Sequence, residues 1–189
     1  LARLFATGLI VRAVFGVALF FISFFGWPFF RSLQLGGGFW TLALDGRSYY
    51  EAAANAAVHS LASISDTFPS PMYMRTLAVW MRIFGISPAS ALLLNVAVYA
   101  ACVPLILMTA GIGDRAEPRE TTGAIVTVAA LTFSPALLVF GTQPLKDSLC
   151  VLLIIATICG ARVMYAADSA QNRSPAVNIA IGTLLMTVG

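Results

Sequence analysis

The chain has 189 residues, 59% hydrophobic and 10% charged, with a net charge of +3 and a mean hydropathy of +0.89. That is more apolar surface than a soluble domain of this size can bury. The modest positive charge suits an anionic lipid surface and provides no basic patch for nucleic acid.

Windows of about 20 apolar residues, the length that crosses a bilayer, lie near 4–26, 88–110, 121–142 and 147–166. A fifth, over 176–189, is cut off at Gly189. The fold class expected is all-α, a polytopic transmembrane helical bundle with juxtamembrane helices in its first extracytoplasmic loop. The chain reads as the front part of a larger integral membrane protein. The first run is too long for a signal peptide, and Trp27-Pro28-Phe29-Phe30-Arg31 follows it where a small-residue cleavage site would stand. Arg12 falls inside this run, and snorkelling to the near interface is its expected behaviour. Cys102, Cys150 and Cys159 sit in apolar runs without metal-ligand spacing and read as small buried hydrophobes.

Between the first two runs lies a long loop, Trp27 to Ser87. Gly36-Gly37-Gly38 marks a turn. In Asp45-Gly46-Arg47-Ser48-Tyr49-Tyr50-Glu51, Ser48 and Glu51 have capping-box spacing, which predicts a helix over about 48–62. Asp45 then sits in the turn before it. Arg47 stands beside helix N–H groups that suit a phosphate. Asp45 next to Gly46 is equally an ordinary turn pair.

Residues 71–84 are apolar, but 14 helical residues reach only about 21 Å against a hydrocarbon core of roughly 30 Å. Tyr73, Leu77, Trp80 and Phe84 share a stripe, with Arg75 and Arg82 nearly opposite. The segment is therefore expected to lie on the membrane, started by Pro69 and Pro71 and ended by Gly85. Two crossings then separate Asp45 from Asp147, which returns both acids to one side. Basic residues are shared equally between the two faces, so charge leaves the orientation open. Asp147 opens the fourth run after Gln143-Pro144-Leu145-Lys146. Capping that helix and orienting a substrate are both open to it, as anchoring and head-group binding are to Lys146. His59 is the single histidine and suits a packing or surface role.

The order of these features resembles the GT-C superfamily of membrane glycosyltransferases, in the branch of protein O-mannosyltransferases and aminoarabinose transferases. The resemblance is carried by Asp45 to Ala54, by Pro71-Met72-Tyr73 through Phe84-Gly85, by Asn95, and by Ser134-Pro135 followed by Asp147. It covers nearly the whole chain. Two departures stand out: Gly46 follows the first acid where the mannosyltransferases have a second acid, and Ser70 precedes Pro71 where the aminoarabinose transferases carry a base.

The resemblance implies transfer of a sugar from a polyprenyl-phosphate carrier to an acceptor outside the cytoplasm. The catalytic positions would be Asp45 and Asp147. Arg47, Tyr49, Tyr50, Glu51, Arg75 and Lys146 would contact substrate or donor phosphate. No Asp-x-Asp motif is present, so no cofactor or metal is expected, a divalent ion remaining compatible. The partners would be the lipid-linked donor and membrane lipids, and the location a bacterial inner membrane with the site facing the periplasm or exterior. The competing reading is a secondary transporter or flippase working through Arg12, Asp45 and Asp147.

Overall fold

A computed structural model of the chain describes residues 2–110 and 118–169; the run expected over 176–189 lies outside them. The described residues are mostly helical. Helix α1 covers Ala2–Phe24, and a two-stranded antiparallel hairpin follows, β1 (Gln34–Gly36) and β2 (Phe39–Trp40). Next come α2 (Leu44–Val58), α3 (Pro71–Phe84) and α4 (Pro88–Thr109). Then follow α5 (Pro118–Phe133), α6 (Pro135–Phe140) and α7 (Asp147–Ser169). Among the described residues two helices, Arg3–Phe24 and Pro88–Thr109, are long and apolar enough to cross a membrane.

The run 121–142 is not one helix. Pro135 has no N–H to give to the carbonyl of Leu131, so the helix breaks at Ser134-Pro135 into α5 and α6. Arg12 repairs the break from α1. It donates through Nη2 to the Leu131 carbonyl, and through Nη1 to the Leu137 carbonyl at 3.2 Å. Its guanidinium carbon lies 4.5 Å from the centre of the Tyr99 ring. Arg12 therefore does not snorkel: it is spent on the Leu131 carbonyl, which Pro135 leaves without a helical donor, and on the Leu137 carbonyl, which also accepts from the Gly141 N–H.

Small residues set how α1 packs. A Cβ on Gly16 would stand 2.6 Å from Leu92 Cδ1, and one on Gly8 2.0 Å from the Tyr99 hydroxyl. Later residues of α1 thus meet earlier residues of α4, and the two helices run antiparallel. α4 and α7 run in the same sense: Asn95 bonds to the loop just before α7, while Ile106 faces Ile155 and Ile158 across a cavity. The end of α1 and the starts of α4 and α7 consequently gather at one end of the bundle.

α3 starts and stops where its prolines and Gly85 predict, with Gly85 at φ +98°. Its faces differ from expectation. Tyr73, Met74, Leu77, Ala78 and Met81 are buried in a cluster shared with α2 and α4. Trp80 is half-buried and donates to the Ser90 carbonyl at 2.8 Å. The exposed apolar residues are Met72, Val79 and Ile83, with Phe84 of the expected stripe. Arg82 donates to the carbonyls of Ala56 and Ala57, both at 2.9 Å, closing the C-terminus of α2. Tyr49, early in α2, touches Tyr73, early in α3, so these two helices run side by side in the same direction.

Candidate functional site

A knot of hydrogen bonds ties the hairpin and the 141–146 loop to this end of the bundle. Ser23 Oγ donates to the Phe39 carbonyl at 2.7 Å, and Trp40 Nε1 to the Leu19 carbonyl at 3.2 Å. Asn95 Nδ2 donates to the carbonyls of Gly141 and Gln143, at 2.8 and 2.7 Å. Gln143 returns the contact: its Oε1 accepts from the Trp40 N–H and its Nε2 donates to the Gly38 carbonyl, both at 3.3 Å. Gly38 has φ +91° and lies so close to Phe20 that a Cβ would stand 2.5 Å from its ring, so only glycine serves there.

This knot places the two acids. α2 begins at Leu44, not at Ser48, so Asp45 lies in its first turn rather than in a preceding loop, and Ser48 is no cap. The cause is packing. Gly46 is buried against the 143–146 loop, where a Cβ would lie 3.3 Å from Pro144 Cδ, and the chain is drawn into helix to make that contact. Asp147 is the first residue of α7, three positions beyond Pro144. Asp45 and Asp147 are thus brought to the same end of the bundle, and both are exposed. Among the described residues neither carboxylate joins an ion pair or accepts a hydrogen bond, so Asp147 does not cap its helix through its side chain. Each still carries negative charge at a helix N-terminus, which favours the helix.

The other expected residues divide. Tyr49 lies one turn after Asp45 on the same face, buried, with its ring edge-on to Tyr73 at 5.6 Å between centroids. Burial pushes the Tyr73 phenol well above the usual tyrosine range, and the charges at Tyr49 and Asp147 push it the same way. Lys146 is exposed and, among the described residues, in no ion pair. Tyr50 packs on Phe39 at 5.4 Å, and burial raises its phenol too.

Three charged residues are engaged elsewhere. Arg47 Nε pairs with Glu51 Oε1 at 2.8 Å on the exposed face of α2. Arg75 Nη2 holds Asp66 Oδ1 at 2.7 Å and the Ile64 carbonyl at 2.9 Å, and so fastens the 59–70 loop. The N–H groups expected at Ser48 to receive phosphate are paired inside the helix. The free ones lie around Asp45, where the acid disfavours an anion.

Beside the knot an apolar groove of about 310 Å3 runs between α1, the hairpin and α6, lined by Phe15, Leu19, Trp40, Leu42, Val139 and Gln143. Among the described residues no three His, Cys, Asp or Glu side chains cluster as metal ligands do. Asn95 and Gln143, which set the geometry, carry one sequence signal: each is an uncharged polar side chain within or at the edge of an apolar run.

No family model matches the chain, and neither a curated protein nor a solved structure matches it.

Proposed function

We propose that this chain belongs to a polytopic membrane glycosyltransferase that moves a sugar from a polyprenyl-phosphate carrier to an acceptor outside the cytoplasm, in a bacterial inner membrane. The observation that carries the reading is that two exposed acids, Asp45 and Asp147, neither in an ion pair among the described residues, stand at the same end of the bundle, where α2 docks on the loop before α7. The two apolar helices fit the membrane setting. The apolar groove lined by Trp40, Leu42 and Gln143 has the chemistry to take a prenyl chain.

Asp45 acts as general base. The acceptor hydroxyl gives its proton to Asp45 while its oxygen bonds to the anomeric carbon. The bond from that carbon to the phosphate oxygen breaks on the opposite face, inverting the centre, and polyprenyl phosphate leaves with the electron pair. Lys146, exposed and without an ion pair among the described residues, stabilises the leaving phosphate in this reading. Arg47 and Arg75 serve structure first, through Glu51 and Asp66.

The transporter reading draws on Arg12 and the broken α5–α6 helix, a combination found at transport sites. Here the guanidinium is spent on the carbonyls of Leu131 and Leu137. One experiment separates the readings. The protein in sealed liposomes, given a polyprenyl-phosphate hexose and an alkyl glycoside acceptor, should release polyprenyl phosphate and form a glycosidic product. Passage of the intact lipid-linked hexose across the bilayer without cleavage would overturn the transferase reading.

A further inference from the structure

Residues 24–33, which follow the body of α1, are all exposed, yet they form a built loop. Gly26, at φ +63°, closes α1, and the Trp27 N–H donates back to the Ile22 carbonyl at 3.0 Å. Gln34 Nε2 then holds the carbonyls of Trp27 and Phe29, at 2.8 and 2.6 Å. Phe30 is held at φ +55°, in the left-handed region, where a bulky residue is an outlier. The loop adds no residue to the buried clusters. What it presents outward is a row of aromatic rings and one cation. Phe24, Phe25, Trp27, Phe29 and Phe30 are between 48% and 67% exposed. Phe21 stacks on Phe25 at 5.6 Å between centroids, and Phe25 on Trp27 at 6.4 Å. The row thus continues the exposed stripe of Val14, Val17 and Phe21 along α1.

An exposed apolar surface on this scale marks a contact. Length, depth and charge all match a lipid surface at its boundary. The apolar helix Arg3–Phe24 has 22 residues. That is about 33 Å, enough to cross a hydrocarbon core of roughly 30 Å with Arg3 at one boundary and Phe24 at the other. The Trp27 indole N–H donates to no described residue, and irregular backbone facing lipid has no place in the hydrocarbon interior. A ring row ending in tryptophan and arginine suits the headgroup boundary instead, with apolar faces toward the acyl chains and the N–H groups toward water. Arg31 is exposed and, among the described residues, in no ion pair. Asp45 is the first acid in the chain, so no carboxylate lies near Arg31 in sequence. Lipid phosphate supplies the missing anion in the planar, two-point geometry a guanidinium favours.

We propose that residues 24–31 are an interfacial anchor, with the aromatic rings set at the boundary of acyl chains and headgroups and Arg31 on the phosphate of a bilayer phospholipid. Ser23 donates to the Phe39 carbonyl and Trp40 to the Leu19 carbonyl, which fastens this end of α1 to the hairpin that leads into α2. The anchor therefore sets the depth of the end of the bundle that carries Asp45 and Asp147. It stands without the transferase reading.

The test places the protein in phospholipid nanodiscs whose acyl chains carry bromine near the headgroup, or near the chain end, or none. Bromine quenches tryptophan emission on contact. Wild type should be quenched more by the shallow bromine than by the deep one. Trp27→Phe should lose most of that quenching, because Trp40 is buried and Trp80 half-buried. Phe29→Trp in otherwise wild-type protein should add shallow quenching, which keeps the test open if Trp27→Phe folds poorly. Solid-state NMR of arginine-labelled protein in unbrominated bilayers reads the coupling of guanidinium carbon to lipid phosphorus. Arg31→Lys should remove one coupled carbon.

Quenching in Trp27→Phe equal to wild type, with none added by Phe29→Trp, overturns the anchor. So does stronger quenching by the deep bromine. Emission from Trp27 that aqueous iodide quenches and neither brominated lipid touches also overturns it, and points to a protein partner for the aromatic row. An unchanged set of phosphorus-coupled carbons in Arg31→Lys overturns the phosphate contact.

Discussion

Replacing Arg12 by methionine, which keeps most of the side-chain volume, tests the account of the broken helix. Two hydrogen bonds from a charged donor are lost, to Leu131 O and Leu137 O, together with the contact over the Tyr99 ring. Bonds of that kind contribute about 1.5–3 kcal/mol each, and the cation–ring contact about 1 kcal/mol. Against this stands the relief of no longer burying a guanidinium, worth several kcal/mol. The net cost expected for Arg12→Met is therefore about 1–4 kcal/mol.

The decisive step is to repeat the change in Pro135→Ala. Alanine restores an N–H at position 135, so the Leu131 carbonyl regains a helical donor and needs Arg12 less. The cost of Arg12→Met should then shrink by about 1–3 kcal/mol, the penalty of leaving one buried carbonyl unsatisfied. Thermal unfolding of the four proteins in one detergent reads this out, at about 2–4 °C per kcal/mol for a chain of this size. Costs that add to within about 0.5 kcal/mol would refute the claim that Arg12 repairs the Pro135 break.

Asn95→Leu should lower stability by about 2–4 kcal/mol, since it strips the donor from two carbonyls, Gly141 O and Gln143 O; chemical unfolding against wild type checks it. The Tyr73 phenol is held above its usual range by burial first, so below the ordinary tyrosine value of about 10 the folded and unfolded chains both keep its proton and stability does not vary with its titration. Stability falls as pH rises above that value, because the unfolded chain releases the proton while the folded one keeps it. Tyr73→Phe should therefore lose less stability between about pH 9 and 11 than wild type; parallel curves would contradict the assignment. In a background without the native cysteines, single cysteines at Ser65, Ile86 and Lys146, all exposed, should react with a membrane-impermeant thiol reagent from one side of sealed vesicles. Labelling of Ser65 and Ile86 from opposite sides would mean that α3 crosses.

Elements bounded by strong local signals were legible. Pro71 and Gly85 delimit α3, and Ser87 caps α4 by accepting from the Ser90 N–H. The start of α2 was misread because Asp45-Gly46 has the chemistry of a turn. Only the docking of Gly46 on Pro144, nearly a hundred positions away, explains why the residues are helical. Phase on α3 identified amphipathicity but not which apolar residues a neighbour would cover: the protein took Tyr73 and Leu77, and Met72, Val79, Ile83 and Phe84 were left outside. Arg12 was misjudged because the chain alone does not reveal that the Leu131 carbonyl, freed at Pro135, lies beside it.

The two expected acids come to one end of the bundle, and two of the expected cations, Arg47 and Arg75, stand in ion pairs. The four-residue spacing of Arg47 and Glu51 was itself a sign that they would pair. The partner of Arg75 lies in a loop whose path no periodicity fixes. The buried Tyr73 hydroxyl had no signal beyond a tyrosine in an apolar stripe.

The central claim is that Asp45 removes the acceptor's proton. Asp45→Asn preserves the shape and removes the base. In the protein reconstituted with a polyprenyl-phosphate hexose and an alkyl glycoside, kcat should fall by about 100-fold or more, the scale of a lost general base. Membrane insertion should stay unchanged and the melting temperature should fall by no more than about 1–4 °C, because the carboxylate accepts no hydrogen bond among the described residues and only its charge at the N-terminus of α2 is lost. Asp147→Asn should lose less. Transfer by Asp45→Asn at the wild-type rate would contradict the account.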